Sequence, residues 1–336
     1  MGVSIRDVAK RAGVSIATVS RTFTIPQKVT PLTRKKVIKA AKELDFTISR
    51  SASSLKSGRS FRLAFLTGGE IESWYDSNIL SGLNSILHDA GYDIALYTVS
   101  DISQRKAFFS DMSIKRNADA VLVVSFQIAK DEAEGFKATK IPLLGINTDP
   151  MEEFTASIVI DNAKSMKLII EYLAKLGHKN IAYLCVDPDL ENFRWNGKAR
   201  LNGFFEACRS VSAEIHPTIV YAPKDHNRAD SAFSQLACMP NKPTAVVCMN
   251  DEYAIPLIFR MQQSGWSIPE DISVVGFDDS TYAQEIGLTT VHQDPKEMGR
   301  ATARILLKLL SGATITNSVQ VEPSFLIVRN TVAQVL

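Results

Sequence analysis

Short apolar runs alternate with amphipathic stretches through most of the chain, from residue 61 onward. The runs FRLAFL, DIALYTV, ADAVLVVSF, IPLLGI and ASIVI are separated by segments of helical periodicity such as ILSGLNSILHDAG. A second set repeats the layout, with NIAYLCV, TIVYA, AVVCMN and ISVVGF between amphipathic segments. Because strands that alternate with helices favour parallel βαβ units, the pattern predicts an α/β core of two similar doubly wound lobes. The last segments, KEMGRATARILLKLLSG and SVQVEPSFLIVRNT, are predicted to return through both lobes.

The first 46 residues show helical spacing throughout and predict an all-α unit. IRDVAKRAG predicts a short helix that ends at Gly13, and Ser15 is suited to cap a second helix over IATVSRTF. Two short helices joined by a glycine-containing turn make a helix-turn-helix. We expect the second helix to bury Val19 and Phe23. The positions that it leaves free are Ile16, Ala17, Thr18 and Arg21.

A third helix is predicted over LTRKKVIKAAKELDF, where Thr30 and Pro31 form an N-cap and first-turn pair. Its apolar positions close a small core with the first two helices. Its other face carries five cations, namely Arg34, Lys35, Lys36, Lys39 and Lys42. An ordinary solvated helix face is the alternative interpretation of these cations.

A net charge of +2 conceals two parts of opposite sign. Residues 1–60 contain 13 Lys and Arg against 3 Asp and Glu, a net charge of +10, and the remainder contains 25 against 33, a net charge of −8. A basic head on an acidic body indicates that the head meets a polyanion, with nucleic acid favoured over a membrane. No apolar run approaches the ~18 residues of a membrane span and no secretory signal is evident, so we expect a cytoplasmic protein. The four cysteines lie far apart without His at ligand spacing, which predicts neither a metal site nor a disulfide framework, and no cofactor is expected.

The 17 consecutive residues IRDVAKRAGVSIATVSR resemble the DNA-binding headpiece of the lactose and galactose repressor family of bacterial transcription regulators. The resemblance implies that the second helix lies in the major groove with Ile16, Ala17 and Arg21 facing base edges. Arg21 is suited to bidentate pairing with guanine, whereas Ile16 and Ala17 offer apolar contacts, for instance to a thymine methyl. The remaining polar residues are expected to contact phosphates or to cap the helix: Ser15, Thr18 and Ser20.

Residues 47–60 are rich in serine and basic residues, which alone indicates a flexible linker. In the family that this chain resembles, the same stretch holds a hinge helix that becomes ordered when the dimer binds its operator. Leu55 matches a leucine that enters the minor groove at the operator centre, and such a wedge bends DNA. A plain linker that contains a leucine is the alternative.

The body resembles the effector-binding core of the same family, itself similar to periplasmic sugar-binding proteins. The strings that carry this resemblance are VIDNAKSM, LGHKNIAYL, ARLNGF, AVVCMND, SVVGFDDS, LTTVHQD and EMGRAT. The resemblance covers essentially the whole chain. It predicts a helix-turn-helix domain over 1–46, a hinge over 47–60, an N-terminal lobe over 61–160 and 292–322, and a C-terminal lobe over 161–291 and 323–336.

Polar residues follow the apolar runs at four predicted strand ends, where ligands bind in open α/β sheets. They are Asn147, Asp161, Asn250 and Asp278. Carboxylates and amides there suit a ligand rich in hydroxyl groups, and N-cap or turn roles are the alternative. The resemblance implies that Arg200 and Asp278 hold the effector and that Asn147 and Asn250 contact it. Asp161 also matches a frequent Asp of the family.

Aromatic residues of a sugar site stack on the less polar face of the ring, and WYD at 74–76 falls in the first strand-to-helix loop. Trp74 and Tyr75 are therefore candidates, with ordinary loop packing as the alternative. The family commonly has an aromatic residue at the place of Asp76, and often another near residue 227, where KDHNRAD has none. By the resemblance, Arg194 and Asn196 match contact positions that vary between members and help to select the ligand.

These observations favour a homodimeric, sequence-specific repressor of carbohydrate-utilisation genes. Its affinity for a pseudo-palindromic operator would be controlled by a small effector, a sugar, between the lobes. A nucleoside, a purine or a sugar phosphate is the alternative effector. An enzyme is disfavoured because the chain lacks G-x-G-x-x-G, G-x-x-x-x-G-K-[ST] and G-x-S-x-G motifs and its His residues are scattered. A transport-type sugar-binding protein would need an export signal and no basic head.

Overall fold

The computed structural model describes residues 3–24, 28–46, 58–69, 73–111, 117–137, 139–148, 150–186 and 196–335. The predicted hinge residue Leu55 and the predicted selectivity residue Arg194 lie outside this set, as does the side chain of Asn196. The chain forms two units, one ending at Phe61 and the other beginning at Arg62.

The described part of the first unit contains three helices: α1 (Ile5–Ala12), α2 (Ile16–Thr24) and α3 (Pro31–Glu43). Gly13 follows α1 in the left-handed conformation, with φ +69°, so the turn into α2 uses a residue that adopts this conformation without strain. Thr18 N–H donates to Ser15 Oγ at 3.1 Å, which confirms Ser15 as the cap of α2. The three helices bury a small apolar core of Val8, Ala9, Val19, Val37, Ala40 and Ala41.

The buried side of α2 differs from the prediction in one residue. Val19 is fully buried as expected, but Phe23 is 38% exposed and Thr22 is buried instead. A threonine can be buried here because its hydroxyl donates to the carbonyl oxygen of Thr18 at 2.8 Å, which satisfies its polar group within the helix. The prediction that Phe23 belongs to the core was therefore wrong.

The second unit begins with β1 (Arg62–Gly68), α4 (Trp74–Leu87), β2 (Asp93–Val99), α5 (Ile102–Ser110), β3 (Ala120–Val124), α6 (Lys130–Lys137), β4 (Leu143–Ile146) and β5 (Ala156–Ile160). It continues with α7 (Asn162–Lys175), β6 (Asn180–Cys185), α8 (Asn196–Val211), β7 (His216–Tyr221), α9 (Arg228–Cys238), β8 (Ala245–Cys248), α10 (Asp251–Gln263), β9 (Ser273–Asp278) and β10 (Thr289–His292). The last elements are α11 (Pro295–Leu310), β11 (Val319–Glu322) and β12 (Phe325–Ile327).

Within the described residues these strands form two sheets of the same design. The first has the order β11-β5-β4-β3-β1-β2 and the second β12-β10-β9-β8-β6-β7. All neighbours are parallel except β12, which is antiparallel to β10. Strands such as β3 are buried along their whole length, which explains their continuous apolar sequences. Two doubly wound lobes, as predicted, result from this arrangement.

The chain passes between the two sheets three times, after Ile160, after β10, and between β11 and β12. The crossing segments contact one another. The ring of His292 stacks on Phe325 with centroids 4.7 Å apart, and the hydroxyls of Ser165 and Ser324 are 2.8 Å apart. The three crossing segments are therefore joined by direct side-chain contacts.

Helices α4 and α11 of the first lobe approach so closely that glycine is required at their crossing. A Cβ atom at Gly82 would overlap the carbonyl oxygen of Lys296, and a Cβ at Gly299 would lie 2.9 Å from the backbone nitrogen of Leu83. The atoms in the way belong to the backbone, so they cannot turn aside. This crossing fixes the position of α4, whose first residues are Trp74 and Tyr75.

Candidate functional site

The first unit presents an exposed face on α2 and a cationic face on α3. On α2, Ile16 is 45% exposed, and Ser15, Ala17 and Arg21 are also exposed, whereas Thr18 and Ser20 are half-buried. All five cations predicted for α3 are exposed: Arg34, Lys35, Lys36, Lys39 and Lys42. An exposed helix of this size fits the DNA major groove, and the neighbouring cations suit contacts with phosphates.

The second unit contains a cavity of about 840 Å3 between its two lobes. The first lobe contributes Trp74 and Tyr75 from the start of α4, together with Gly68, the last residue of β1, and Gly69 after it. The second lobe contributes Asn250, which lies between β8 and α10, and Asp278, the last residue of β9. Four of the predicted effector residues thus line one cavity at the carboxyl ends of strands: Trp74, Tyr75, Asn250 and Asp278.

Arg200, on α8, is buried behind this cavity and is held by four groups. Its Nε donates to Asn162 Oδ1 at 3.1 Å and its Nη1 donates to the carbonyl oxygen of Met249 at 2.6 Å. The guanidinium lies 3.6 Å above the ring centre of Phe277, and Nη1 is 3.8 Å from Asp278 Oδ1. These contacts orient the guanidinium toward Asp278 before any ligand arrives.

Asp278, the last residue of β9, has a strained backbone conformation and a side chain with a raised pKa. Its φ is +125°, and the next residue, Asp279, also has a positive φ of +54°. Non-glycine residues in such conformations cluster at functional sites. Burial raises the pKa of Asp278 to about 8, although the nearby Arg200 acts in the opposite direction. The amide of Gln293 donates to Asp278 Oδ1 at 2.6 Å and fixes the carboxyl group.

Buried polar atoms without a hydrogen-bond partner among the described residues gather at the ends of β3 and β4. They include the hydroxyl of Ser125, both amide atoms of Asn147 and the hydroxyl of Thr148, and Gln293 Oε1 adds another beside Asp278. Ser125 and Asn147 also have positive φ values, +62° and +49°. Because buried polar groups are normally paired, these atoms indicate a place where a ligand or water completes the hydrogen bonding.

Tyr75 lines the cavity from the first turn of α4. Its hydroxyl donates to Met298 Sδ at 3.3 Å, and a thioether is only a weak acceptor. Burial raises the pKa of Tyr75 well above its ordinary value, while Arg200 and the nearby side chain of Asn147 act in the opposite direction. A ligand in the cavity can replace the contact with Met298 at little expense, because a thioether is a weak acceptor.

Trp74 connects the two lobes at the edge of the cavity. Its indole Nε1–H donates to the hydroxyl oxygen of Thr281, in the segment after β9, at 3.0 Å. This bond lies at the surface and joins residues of different lobes. It therefore favours the arrangement in which the cavity is closed on this side.

Four of the described effector candidates are not among the residues that line the cavity, namely Arg200 and Asn147, whose surroundings are given above, and Asp76 and Asp161. Asp76 is buried and accepts a hydrogen bond from Thr67 Oγ1 at 3.1 Å, so its carboxyl turns toward β1. Asp161 is exposed and caps α7 by accepting from Lys164 N–H at 2.9 Å. Asn250 also caps a helix, accepting from Tyr253 N–H at 3.2 Å, but it faces the cavity as well.

Three residues of the site were missed by the sequence argument. Gln293, which donates to the cavity residue Asp278, follows β10 directly and could have been found by the strand-end rule that selected Asp278. Lys224 and Arg228 line the cavity from the segment KDHNRAD, for which the sequence had suggested only that an aromatic residue is missing. Neither is the first residue after a strand, so that rule gave no signal for them.

In the described ranges, no cluster of His, Cys, Asp and Glu could hold a metal ion. Nor is any described helix sufficiently long and apolar to traverse a membrane.

The sequence and the fold resemble known transcription regulators along nearly their whole length. Residues 4–49 match the model for bacterial regulatory proteins of the lacI family, and residues 170–332 match the periplasmic binding protein-like domain. The HTH-type transcriptional repressor PurR of Vibrio vulnificus is 29% identical over 336 residues, covering 99% of both chains. PurR of Vibrio atlanticus is 30% identical over 310 residues, covering 91% of both. A crystal structure of the lac repressor dimer bound to operator and the anti-inducer ONPF superposes with a TM-score of 0.82 at 25% identity, covering 99% of this chain and 100% of that one.

A helix-turn-helix unit joined to a two-lobed α/β body with a polar cavity defines a DNA-binding transcription regulator of the type that binds a small ligand. The chain belongs to the lacI family of bacterial regulatory proteins. Members of this family are DNA-binding regulators rather than enzymes, and they bind operator DNA and small effectors as dimers.

Proposed function

We propose that this protein is a homodimeric, cytoplasmic repressor of carbohydrate-utilisation genes that releases or binds a pseudo-palindromic operator in response to a sugar. In this proposal residues 1–46 bind DNA, residues 47–60 form the hinge, and the effector lies between a lobe of residues 61–160 and 292–322 and a lobe of residues 161–291 and 323–336. Ile16, Ala17 and Arg21 read bases, while Ser15, Thr18 and Ser20 contact phosphates. Leu55 enters the minor groove at the operator centre.

The observation that supports the effector site is a set of unsatisfied polar atoms next to residues of the cavity wall. Asn147 offers a donor and an acceptor near Tyr75, Gln293 offers an acceptor next to Asp278, and Asp278 itself offers a carboxyl group in the wall. A ligand with several hydroxyl groups can pair with each of them, because a hydroxyl both donates and accepts. An apolar ligand would leave the same atoms unpaired, which costs about 1–3 kcal/mol for each group.

A nucleoside or purine is the second candidate effector. Trp74 and Tyr75 support it, because their rings line the cavity and stack on a base as readily as on a sugar face. Arg194 and Asn196 remain candidates for the choice between the two ligand classes.

The test measures ligand binding and DNA binding on the full chain. Duplexes selected from a random DNA library supply the operator probe, and glucose, ribose, adenosine and hypoxanthine supply the ligands. A ligand that binds the native cavity raises the melting temperature, by mass action, and changes the affinity for the selected duplex.

Two variants test whether the cavity is responsible. Arg200→Met removes the guanidinium, and Arg209→Met on the exposed side of the same helix is its control. Asn147→Gly suits the positive φ and removes an amide that has no partner among the described residues, so it leaves folding largely intact. Loss of the ligand response in Arg200→Met and Asn147→Gly, with retention in Arg209→Met, supports the site. Unchanged ligand affinity in Asn147→Gly and Arg200→Met would remove both residues from it.

A further inference from the structure

The strained pair Asp278 and Asp279 is held by contacts that involve residues outside the cavity wall. Asp278 lines the cavity, whereas Asp279 is not among the residues that line it. Both have positive φ values, +125° and +54°, although neither is glycine. Such a backbone persists only where the surrounding structure fixes it. The contacts of Asp279 therefore bear on the direction in which the carboxyl of Asp278 points.

The carboxylate of Asp279 contacts two basic side chains at once. Arg329 Nη2 donates to Asp279 Oδ1 at 2.7 Å, and Nδ1 of His292 lies 2.9 Å from Asp279 Oδ2. The side chains of Asp279 and Arg329 are each only 17% exposed, so this ion pair is largely shielded from solvent. Charge-assisted hydrogen bonds are short and strong. Both carboxylate oxygens are thus engaged, and the position of the side chain is fixed.

The two partners of Asp279 are themselves anchored. Arg329 also donates from Nη1 to the carbonyl oxygen of Leu288 at 2.8 Å. The ring of His292, the last residue of β10, stacks on Phe325, the first residue of β12. One crossing between the lobes begins where β10 ends, and another ends where β12 begins. Asp279 is therefore linked to the segments that cross between the lobes.

The backbone next to Asp279 is fixed by the buried Asp251. Its two carboxylate oxygens accept from Ser280 N–H and from Thr290 Oγ1, both at 2.7 Å, and Thr290 Oγ1 accepts in turn from Asp279 N–H at 3.4 Å. Asp251 can approach β9 this closely because residue 276 is glycine, and a Cβ atom there would overlap Asp251 Oδ1. The backbone and the side chain of Asp279 are both held, so the adjoining Asp278 has little freedom to relax.

We propose that Asp279 is a positioning residue of the effector site, whose carboxylate, held by Arg329 and His292, keeps the carboxyl of Asp278 directed into the cavity. The inference rests on the proposed effector function, because it concerns the affinity that Asp278 provides for a ligand. Asp279 acts without touching the ligand. When its side-chain contacts are removed, the strained backbone relaxes and the carboxyl of Asp278 loses the orientation in which it meets the ligand.

Two substitutions of Asp279 separate its side-chain contacts from its backbone conformation. Asp279→Gly suits the positive φ and removes both contacts, whereas Asp279→Asn tolerates the same φ and keeps an acceptor for Arg329. Calorimetric titration of the full chain with glucose, ribose, adenosine and hypoxanthine measures the affinity. For each probe that binds the wild type, Asp279→Gly should weaken binding by about 5- to 100-fold, as expected for contacts within one network. Asp279→Asn should retain most of the wild-type affinity.

Two further variants accompany the titrations. Asp45→Gly is the matched control, because Asp45 is exposed in the other unit and has a φ of +50°, so the same chemical change is made in a similar backbone conformation. It should leave the ligand affinity unchanged. His292→Phe keeps an aromatic ring to stack on Phe325 but removes the contact with Asp279. It should weaken ligand binding by about 2- to 10-fold, as expected for one hydrogen bond.

A double-mutant cycle tests whether Asp279 acts through Asp278. In an Asp278→Asn background, Asp279→Gly should change the ligand affinity by less than about twofold, because the carboxylate contact that it disturbs has already been removed. A residue with only a general structural role would weaken binding by the same factor in both backgrounds. Melting temperatures at high probe concentration extend the measurement to weak binding.

The outcomes separate the inference from the function on which it rests. Loss of affinity in Asp279→Gly, its retention in Asp279→Asn, and a loss that disappears in the Asp278→Asn background support the inference. Wild-type affinity in Asp279→Gly, or the same loss in both backgrounds, overturns it and leaves the proposed effector site intact, since the wild type still binds. Failure of all four probes to bind the wild type contradicts the proposed function and the inference with it.

Discussion

The close crossing of α4 and α11 positions the cavity residues at the start of α4, so widening this crossing should affect both stability and ligand binding. Substituting Gly82 by Ala would place a Cβ atom in overlap with the carbonyl oxygen of Lys296, 2.9 Å from its carbonyl carbon and 3.2 Å from the nitrogen of Arg300. All three atoms are backbone, so relief requires the two helices to move apart. Trp74 and Tyr75 begin α4, and they would move with it.

The expected magnitude follows from two opposing effects. Alanine is favoured over glycine inside a helix by about 1 kcal/mol, whereas forcing additional volume into a packed contact costs about 1–3 kcal/mol and sometimes more. Because the obstruction here is backbone, we expect the upper part of that range to apply. Gly82→Ala should lower the free energy of unfolding by about 1–2 kcal/mol.

Gly135→Ala is the matched control. Gly135 lies in α6, is exposed, and a Cβ there would meet no heavy atom within 4 Å. The same chemical change should therefore raise stability by about 0.5–1 kcal/mol. Urea denaturation of the full chain measures both variants, and ligand titration should show weaker binding only for Gly82→Ala. A Gly82→Ala variant as stable as Gly135→Ala would refute the close-crossing argument.

Three further predictions concern single groups. Thr281→Val removes the acceptor of the hydrogen bond from Trp74 that joins the two lobes. A titration should show ligand binding weakened by about 2- to 10-fold, as expected for one net hydrogen bond of about 0.5–1.5 kcal/mol. Unchanged ligand affinity would show that this bond has no role in closing the cavity. Asp278 keeps its proton in the folded chain up to a pH of about 8 but loses it near 4 when unfolded, so the free energy of unfolding should fall as the pH rises between these values. Urea denaturation across that range should show this loss in wild type and a reduced loss in Asp278→Asn. Arg21→Ala should weaken binding to the selected duplex by about 1–3 kcal/mol and relax sequence preference at one position, which a binding-site selection detects; a uniform loss for all sequences would indicate a phosphate contact.

The architecture of both units could be predicted from the sequence, because the apolar runs and the turn residues each indicate one type of secondary structure. The continuous apolar runs of β3 and β8 are buried on both faces of their sheets. Gly13 adopts the left-handed conformation of the turn and Ser15 caps the second helix, so both residue types predict the helix-turn-helix directly. Phe23 was the exception. Helical spacing cannot tell which of two adjacent positions is buried, and the hydroxyl bond that allows Thr22 to be buried is visible only in three dimensions.

The candidate site was predicted in part, for a similar reason. Strand ends converge at one edge of a parallel sheet, so Asn147, Asn250 and Asp278 could be selected without coordinates. The direction in which a side chain points is not encoded in that rule, and Asp161 turns to its own helix instead. Lys224 enters the cavity from a longer loop, whose course depends on tertiary contacts such as that between Tyr253 and Pro223.

The central claim is that a ligand in the cavity of the body changes the affinity of the helix-turn-helix unit for DNA. Fluorescence anisotropy with a selected duplex, in the absence and presence of a saturating ligand from the titrations, tests it directly. We predict a change in DNA affinity of at least about fivefold in wild type and none in Arg200→Met, with the DNA changing the ligand affinity by the same factor. Equal DNA affinity with and without the bound ligand would contradict the account.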